Sequence, residues 1–186
     1  MKTKNVMIVG VGGQGSLLAS KLLGKLLTQQ GYDVKVSEVH GMSQRGGSVV
    51  TYVRFGDKVY SPVIADGEAD FIVSFEKLEA ARYLKCLRKD GKIVVNAQRI
   101  DPMPVITGAA AYPDDVRAKG VFVDEIDALA LAKEAGNAKS VNIVLMGRLA
   151  KYFDIPHDKW IEAIKSTVKP QFVDVNLKAF ELGYQQ

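Results

Sequence analysis

Asn5-Val-Met-Ile-Val-Gly10-Val-Gly-Gly-Gln-Gly15 is the stretch on which the fold turns. Asn5 to Val9 is a short apolar run that ends abruptly in glycines, the pattern of a buried strand entering a tight turn. Beyond the glycines, Ser16 to Gln30 carries Leu17, Leu18, Leu22, Leu26 and Leu27 at helical spacing, and Gly31 stops it as a C-terminal glycine does. Val34-Lys-Val36 then alternates as a second strand. Strand, helix and strand in this order predict a right-handed βαβ unit in a parallel sheet.

Residues 40–47 lack periodicity and read as a loop. Ser48 to Phe55 is β-branched and aromatic, and Gly56-Asp57 turns it into Lys58-Val-Tyr60, which predicts an inserted β-hairpin. Asp70 to Phe75 reads as a strand and Glu76 to Arg88 as a helix; Asp90-Gly91 then turns into a strand over Lys92 to Asn96. Met103 to Thr107 and Val121 to Val123 complete the strand-like runs. Helices are expected over Asp127 to Ala135, Val141 to Phe153, Asp158 to Thr167 and Val173 to Leu182, divided by Pro156 and Pro170. The expected fold is α/β, a Rossmann-like three-layer sandwich with a mostly parallel sheet and an inserted β-hairpin. With no repeat and no low-complexity linker, residues 1–186 read as a single domain.

Composition narrows the function. The chain has 186 residues, 47% hydrophobic and 25% charged, as in ordinary globular domains. No apolar run approaches the roughly 20 residues that span a bilayer. The glycines from Gly10 interrupt the run after Lys2 and Lys4 too early for a signal peptide, so a cytoplasmic protein without membrane contact is expected. The formal charge of +4 is scattered among acidic residues, which argues against a nucleic-acid partner. Cys86 is the single cysteine and His40 and His157 the only histidines, so no metal site is expected. A 4Fe–4S cluster needs about four thiolates, out of reach for this chain alone.

Gly10, Gly12, Gly13, Gln14 and Gly15 form a G-x-G-x-x-G turn between strand and helix. Such a turn aims free amides at an anion beside the positive end of the helix. Glu38 follows at the distance of a ribose-binding acid, which keeps open a free-standing NAD(P)-dependent dehydrogenase or nucleotide-sensing domain. A turn that serves packing alone is a third reading. The second loop, His40-Gly-Met-Ser43-Gln44-Arg45-Gly46-Gly47, gathers an imidazole, a hydroxyl, an amide and a guanidinium on the same carboxyl-end rim. His40 reads as a proton shuttle or a loop hydrogen-bonder, and the lack of a local carboxylate to tune it favours the second. Cys86 reads as a small helix residue, and His157 as a helix-start residue without chemistry.

Gly10-Val-Gly-Gly-Gln-Gly15, Ser37-Glu-Val-His-Gly-Met-Ser-Gln-Arg-Gly-Gly-Ser48 and Val59-Tyr-Ser-Pro-Val63 together resemble the gamma-type domain of 2-oxoacid:ferredoxin oxidoreductases, most closely the indolepyruvate type. The resemblance continues through Ala69-Asp70 to Leu84 and Asn96-Ala-Gln98. It implies a part in decarboxylating an aryl 2-oxoacid to an aryl-acetyl-CoA, with electrons passed to ferredoxin, as in aromatic amino acid catabolism. It also implies a larger alpha subunit as partner, holding thiamine diphosphate, magnesium and 4Fe–4S clusters. Ferredoxin would then be met only indirectly, and this chain would be inactive alone. No catalytic residue is assigned to it. Its two rim loops, with Gly10, Gly12, Gly13, Gln14, Gly15, Glu38, His40, Ser43, Gln44, Arg45 and Gly46, would bind coenzyme A phosphate or close over the partner's site.

Overall fold

The computed structural model describes residues 2–40, 47–113 and 115–186, with the side chains of His40 and Ala118 left undescribed. Its strands are β1 (Lys4–Val11), β2 (Asp33–His40), β3 (Ser48–Gly56), β4 (Ala69–Ser74), β5 (Leu87–Asn96) and β6 (Phe122–Ile126). The helices are α1 (Ser16–Gln29), α2 (Lys77–Arg82), α3 (Met103–Ile106), α4 (Ala128–Ala135), α5 (Val141–Ala150), α6 (His157–Thr167) and α7 (Val173–Gln185). All six strands lie in one sheet in the order β2-β3-β1-β4-β5-β6.

β1, β4, β5 and β6 are parallel neighbours, and β3 is antiparallel to both β1 and β2. The expected α/β sandwich with a mostly parallel sheet is therefore what forms. Its antiparallel insertion is composed differently from the sequence reading. β3 runs back along β2, with Val39 opposite Val50 and Asp33 opposite Gly56, while its other edge pairs with β1. Residues 58–60 form no strand. The Val59 amide instead donates to the Asp33 carboxylate at 2.9 Å, and the Val59 side chain is buried. β2 thus runs in the direction of β1 without touching it, so the predicted βαβ pair has a strand threaded through its middle.

Side-chain alternation sends Val6, Ile8, Val53, Val73 and Val94 to one face, under α1, α5, α6 and α7 with Trp160 and Phe180. Met7, Val9, Val50, Ile72, Ile93 and Val95 line the other face, under the thinner cover of Ala80, Cys86 and Val116. α5 and α7 pack unusually closely. A Cβ built on Gly147 would stand 2.2 Å from the Phe180 carbonyl oxygen, and one on Gly183 would stand 2.1 Å from that of Val144. Only hydrogen fits at either place.

Three local expectations fail for identifiable reasons. Met103 to Thr107 is the helical turn α3, because Pro102 and Pro104 remove strand donors and suit a first helical turn. The helix expected over Glu76 to Arg88 ends at Arg82, followed by a tighter turn over Leu84–Cys86. Asp90-Gly91 is no turn: β5 runs through it, and the β4–β5 register shifts alongside. Gly91 is required there, since a Cβ would meet Leu87 Cδ1 at 2.6 Å and the Ala69 oxygen at 2.9 Å.

Candidate functional site

The first rim loop closes on itself. The Gln14 amide donates to the Val11 carbonyl at 3.3 Å, and the Val11 amide donates to Gln14 Oε1 at 2.9 Å. Gly10 makes room for that side chain, since a Cβ there would lie 2.7 Å from Gln14 Oε1 and 3.0 Å from Phe75 Cβ. Gly13 and Gly15 hold φ of +97° and +91°, the left-handed region that a Cβ disfavours. Gly15 is also the N-cap of α1, and it offers no side chain to cap the helix. The first turn of α1 contains no acidic residue. Its unbonded amides and the aligned peptide dipoles therefore leave positive potential at this end.

Opposite the turn stands Asn142, which is buried. Its Nδ2 donates to the Gly15 carbonyl at 3.2 Å, and its Oδ1 accepts from the Ile143 amide at 2.9 Å. Asn96, fully buried at the end of β5, donates to the Phe75 carbonyl at 3.1 Å and accepts from the Ala128 amide at 3.0 Å. These two asparagines fix the ends of β1, β4 and β5 against α4 and α5. Beside Asn142 opens a cleft of about 680 Å³, with the glycine turn, Phe75, Gln98 and Lys139 also on its walls. It sits at the carboxyl ends of the parallel strands, where open α/β sheets bind ligands.

Of the residues singled out in the sequence, Gly12, Gly13, Gln14 and Gly15 line this cleft. Gly10 lies behind it, as the seat of the Gln14 side chain. Two of the turn's amides are already committed: Gly12 donates to the Gly47 carbonyl at 2.9 Å and Gln14 to Val11. Among the described residues, the amides left for an anion are those of Gly13, Gly15, Ser16 and Leu17, since Leu18 and Ala19 donate to the Gly15 carbonyl. The Gly12–Gly47 bond also ties the first rim loop to the end of the second. His40 ends β2 opposite Val49. Ser43, Gln44, Arg45 and Gly46 lie outside the described residues.

Glu38 is elsewhere. It is exposed on β2 and accepts from Thr51 Oγ1 at 3.2 Å. Because β3 intervenes, β2 stands two strand spacings, about 10 Å, from β1. A ribose-binding carboxylate belongs on the strand next to the glycine turn, so the dinucleotide arrangement is not formed here.

Lys139 and Asn142 escaped the sequence reading. Lys139 reaches the cleft because Asn137 Oδ1 accepts from the Lys139 amide at 3.0 Å, starting the short turn Ala138–Ser140 that leads into α5. An asparagine ahead of an apolar helical run was the available signal. Among the described residues Lys139 makes no ion pair.

Cys86 is buried, donates to Asp66 Oδ1 at 3.4 Å, and has its thiol pushed up by burial, so it does not suit iron–sulfur ligation. Among the described residues no group of three or more His, Cys, Asp or Glu side chains could hold a metal ion. No helix among them is long and apolar enough to cross a membrane.

Residues 5–186 match the family described as pyruvate ferredoxin/flavodoxin oxidoreductase. The chain is 47% identical to the indolepyruvate oxidoreductase subunit IorB of Pyrococcus horikoshii, covering 98% of this chain and 95% of that one. It is 39% identical to the subunit of the same name from Archaeoglobus fulgidus, covering 98% and 94%. Among solved structures, it superposes on the gamma subunit of a keto/oxoacid ferredoxin oxidoreductase from Geobacter sulfurreducens with a TM-score of 0.75 at 21% identity, covering 98% and 96%. A 2-oxoglutarate:ferredoxin oxidoreductase from Magnetococcus marinus, solved with 2-oxoglutarate, coenzyme A and succinyl-CoA bound, gives 0.78 at 21% identity. All of this chain matches 31% of that longer one. At that identity the two structures speak for the fold.

Proposed function

The chain belongs to the pyruvate ferredoxin/flavodoxin oxidoreductase family, and from that premise we propose that it is the smaller, cluster-free subunit of an indolepyruvate:ferredoxin oxidoreductase. In this reading the assembled cytoplasmic enzyme decarboxylates an aryl 2-oxoacid, passes two electrons to ferredoxin and transfers the acyl group to coenzyme A. Thiamine diphosphate with magnesium and 4Fe–4S clusters, held by a larger alpha subunit, supply the decarboxylation and electron transfer. The chain described here binds and orients, and is inactive alone.

Its own contribution is the cleft at the glycine turn, which takes the diphosphate of coenzyme A. The observation that carries this is the donor set around an uncapped helix start. The Gly13, Gly15, Ser16 and Leu17 amides lie on one side, with Lys139, which makes no ion pair among the described residues, on the other. Phosphate oxygens accept from the amides while the ammonium balances their charge. The Gly12–Gly47 bond holds Gly47 at this rim, and Arg45, outside the described residues, is the second cation of this proposal. A dinucleotide dehydrogenase is disfavoured by the placement of β3, which removes Glu38 from the cleft.

The test is steady-state kinetics of the complex reconstituted with its large subunit, following indolepyruvate- and coenzyme A-dependent ferredoxin reduction. Lys139→Glu should raise the KM for coenzyme A by about 10- to 100-fold, the value of one charge-assisted contact, and leave the KM for indolepyruvate unchanged. An unchanged coenzyme A KM would remove the cleft from the reaction. NAD or NADP stabilising the chain against heat where coenzyme A does not would favour the dinucleotide reading.

A further inference from the structure

Two buried glutamates, Glu76 and Glu79, stand at the start of α2, and they hold different things. Glu76 caps the helix, accepting from the Leu78 amide at 2.9 Å and from the Glu79 amide. Glu79 reaches β3 instead. Its Oε1 accepts from Arg82 Nε at 3.0 Å and its Oε2 from the Ser48 hydroxyl, which also lies 3.2 Å from the Tyr83 hydroxyl.

Ser48 stands where the two rim loops meet. It is the first residue of β3 and pairs with Val11, the last residue of β1, so it forms the final rung of that ladder. The bond from the Gly12 amide to the Gly47 carbonyl lies one step beyond this rung. Ladder ends open more easily than ladder centres, and this bond has no further rung behind it. The Glu79–Ser48 bond fastens the end to α2, which itself packs on β1, β4 and β5. A buried carboxylate carries a desolvation cost that an apolar side chain of similar size would not. In return it gives Ser48 a fixed partner.

We propose that Glu79 is a positioning residue for the glycine-turn cleft. Through Ser48 it keeps the Gly47 carbonyl on the Gly12 amide, and so holds the turn in the conformation that aims the Gly13 and Gly15 amides at a bound phosphate. Its role in binding rests on the reading of that cleft as the coenzyme A site. Its hold on the turn has a readout that needs no ligand.

That readout is hydrogen exchange of the Gly12 amide in the full chain, followed beside the amide of Ile8 in the middle of β1. Glu79→Met keeps the length of the side chain but offers only a weak acceptor to Ser48, and Ser48→Ala removes the donor. Each should speed Gly12 exchange by about 10- to 100-fold relative to that of Ile8, the worth of one hydrogen bond to a carboxylate. The double variant should match the single ones, since all three lack the same bond. In the reconstituted complex each should raise the KM for coenzyme A by about 3- to 10-fold and leave the KM for indolepyruvate unchanged.

A purely structural role makes a different forecast: Gly12 and Ile8 exchange faster in equal measure, and the folded complex keeps both KM values. That result, or Gly12 exchange indifferent to the variants, would overturn the assignment. So would a normal coenzyme A KM in these variants of a complex in which Lys139→Glu raises it. Where Lys139→Glu leaves it unchanged as well, the coenzyme A reading is what fails, and Gly12 exchange alone decides the positioning. Ser48→Ala carries the test if Glu79→Met does not fold.

Discussion

Gly147→Ala and Gly183→Ala test the α5–α7 contact, and their size can be worked from its geometry. The added methyl would lie 2.2 Å from the Phe180 oxygen in one case and 2.1 Å from the Val144 oxygen in the other. Both obstacles are helix backbone, so neither can swing aside. The helices must part by roughly 1 Å, a gap that forfeits a quarter to a half of each dispersion contact across it. Overpacking of this kind costs about 1–3 kcal/mol and at times more, against about 1 kcal/mol gained when alanine replaces glycine in a helix. Since the clash is with backbone, the upper part of that range applies, and a net loss of about 2 kcal/mol is expected for each. At roughly 2–4 °C per kcal/mol for a chain of this size, the melting temperature falls by about 4–8 °C. The double variant should be far from additive, because one parting of the helices admits both methyls. Gly24→Ala in α1 is the control. Its Cβ would meet only Val36 Cγ2, at 3.3 Å, so helix propensity should leave the protein as stable as before or slightly more so. Calorimetry of the four variants decides the matter. Gly147→Ala at or above the parent melting temperature, or strict additivity of the pair, would refute the close-approach argument.

Arg45→Ala in the reconstituted complex should raise the KM for coenzyme A by about 10- to 100-fold with an unchanged melting temperature, and Arg45→Lys should recover part of the loss. A lower melting temperature with normal kinetics would make Arg45 a structural tether. Glu76 is buried at the start of α2, and burial raises its pKa above the usual 4.5. Its contribution to stability is therefore full below that value and declines as pH rises through the raised one. Glu76→Gln should flatten this decline in urea titrations run from pH 4 to pH 8, whereas an unchanged slope would assign the pH dependence elsewhere. The purified chain should be colourless and free of iron, and an absorbance band from a stoichiometric cluster would contradict the division of labour between subunits.

The sheet's first strand, the glycine turn and α1 were legible in the sequence because short-range signals fix them: an apolar run, glycines, then leucines at helical spacing. The partner of β3 was not. Gly56-Asp57 is a sound turn signal, but a hairpin needs a second strand that gains from pairing, and Asp33 captures the Val59 amide instead. Strand order depends on which long-range edge buries more, and nothing within a few residues of Ser48 encodes that. The site was legible in the same proportion. The glycine turn could be read from its spacing. Lys139 and Asn142 reach the cleft only through the chain's return as α5, more than a hundred residues later. Glu38 illustrates the converse, a residue at the right sequence distance that the insertion of β3 carries out of reach.

That insertion also makes β1 and β2 depend on one strand for an edge each. α1 packs against both β1 and β2, so the first 40 residues can hold two aligned strands with a slot one strand wide between them. Until Ser48–Gly56 enters, each strand turns a row of unsatisfied N–H and C=O groups into that slot, an edge that any extended chain could occupy. β3 fills the slot by pairing with β2 along one edge and with β1 along the other. A nascent chain stalled before Ser48 therefore presents an open socket, and the strand best matched to it is β3 of a second copy.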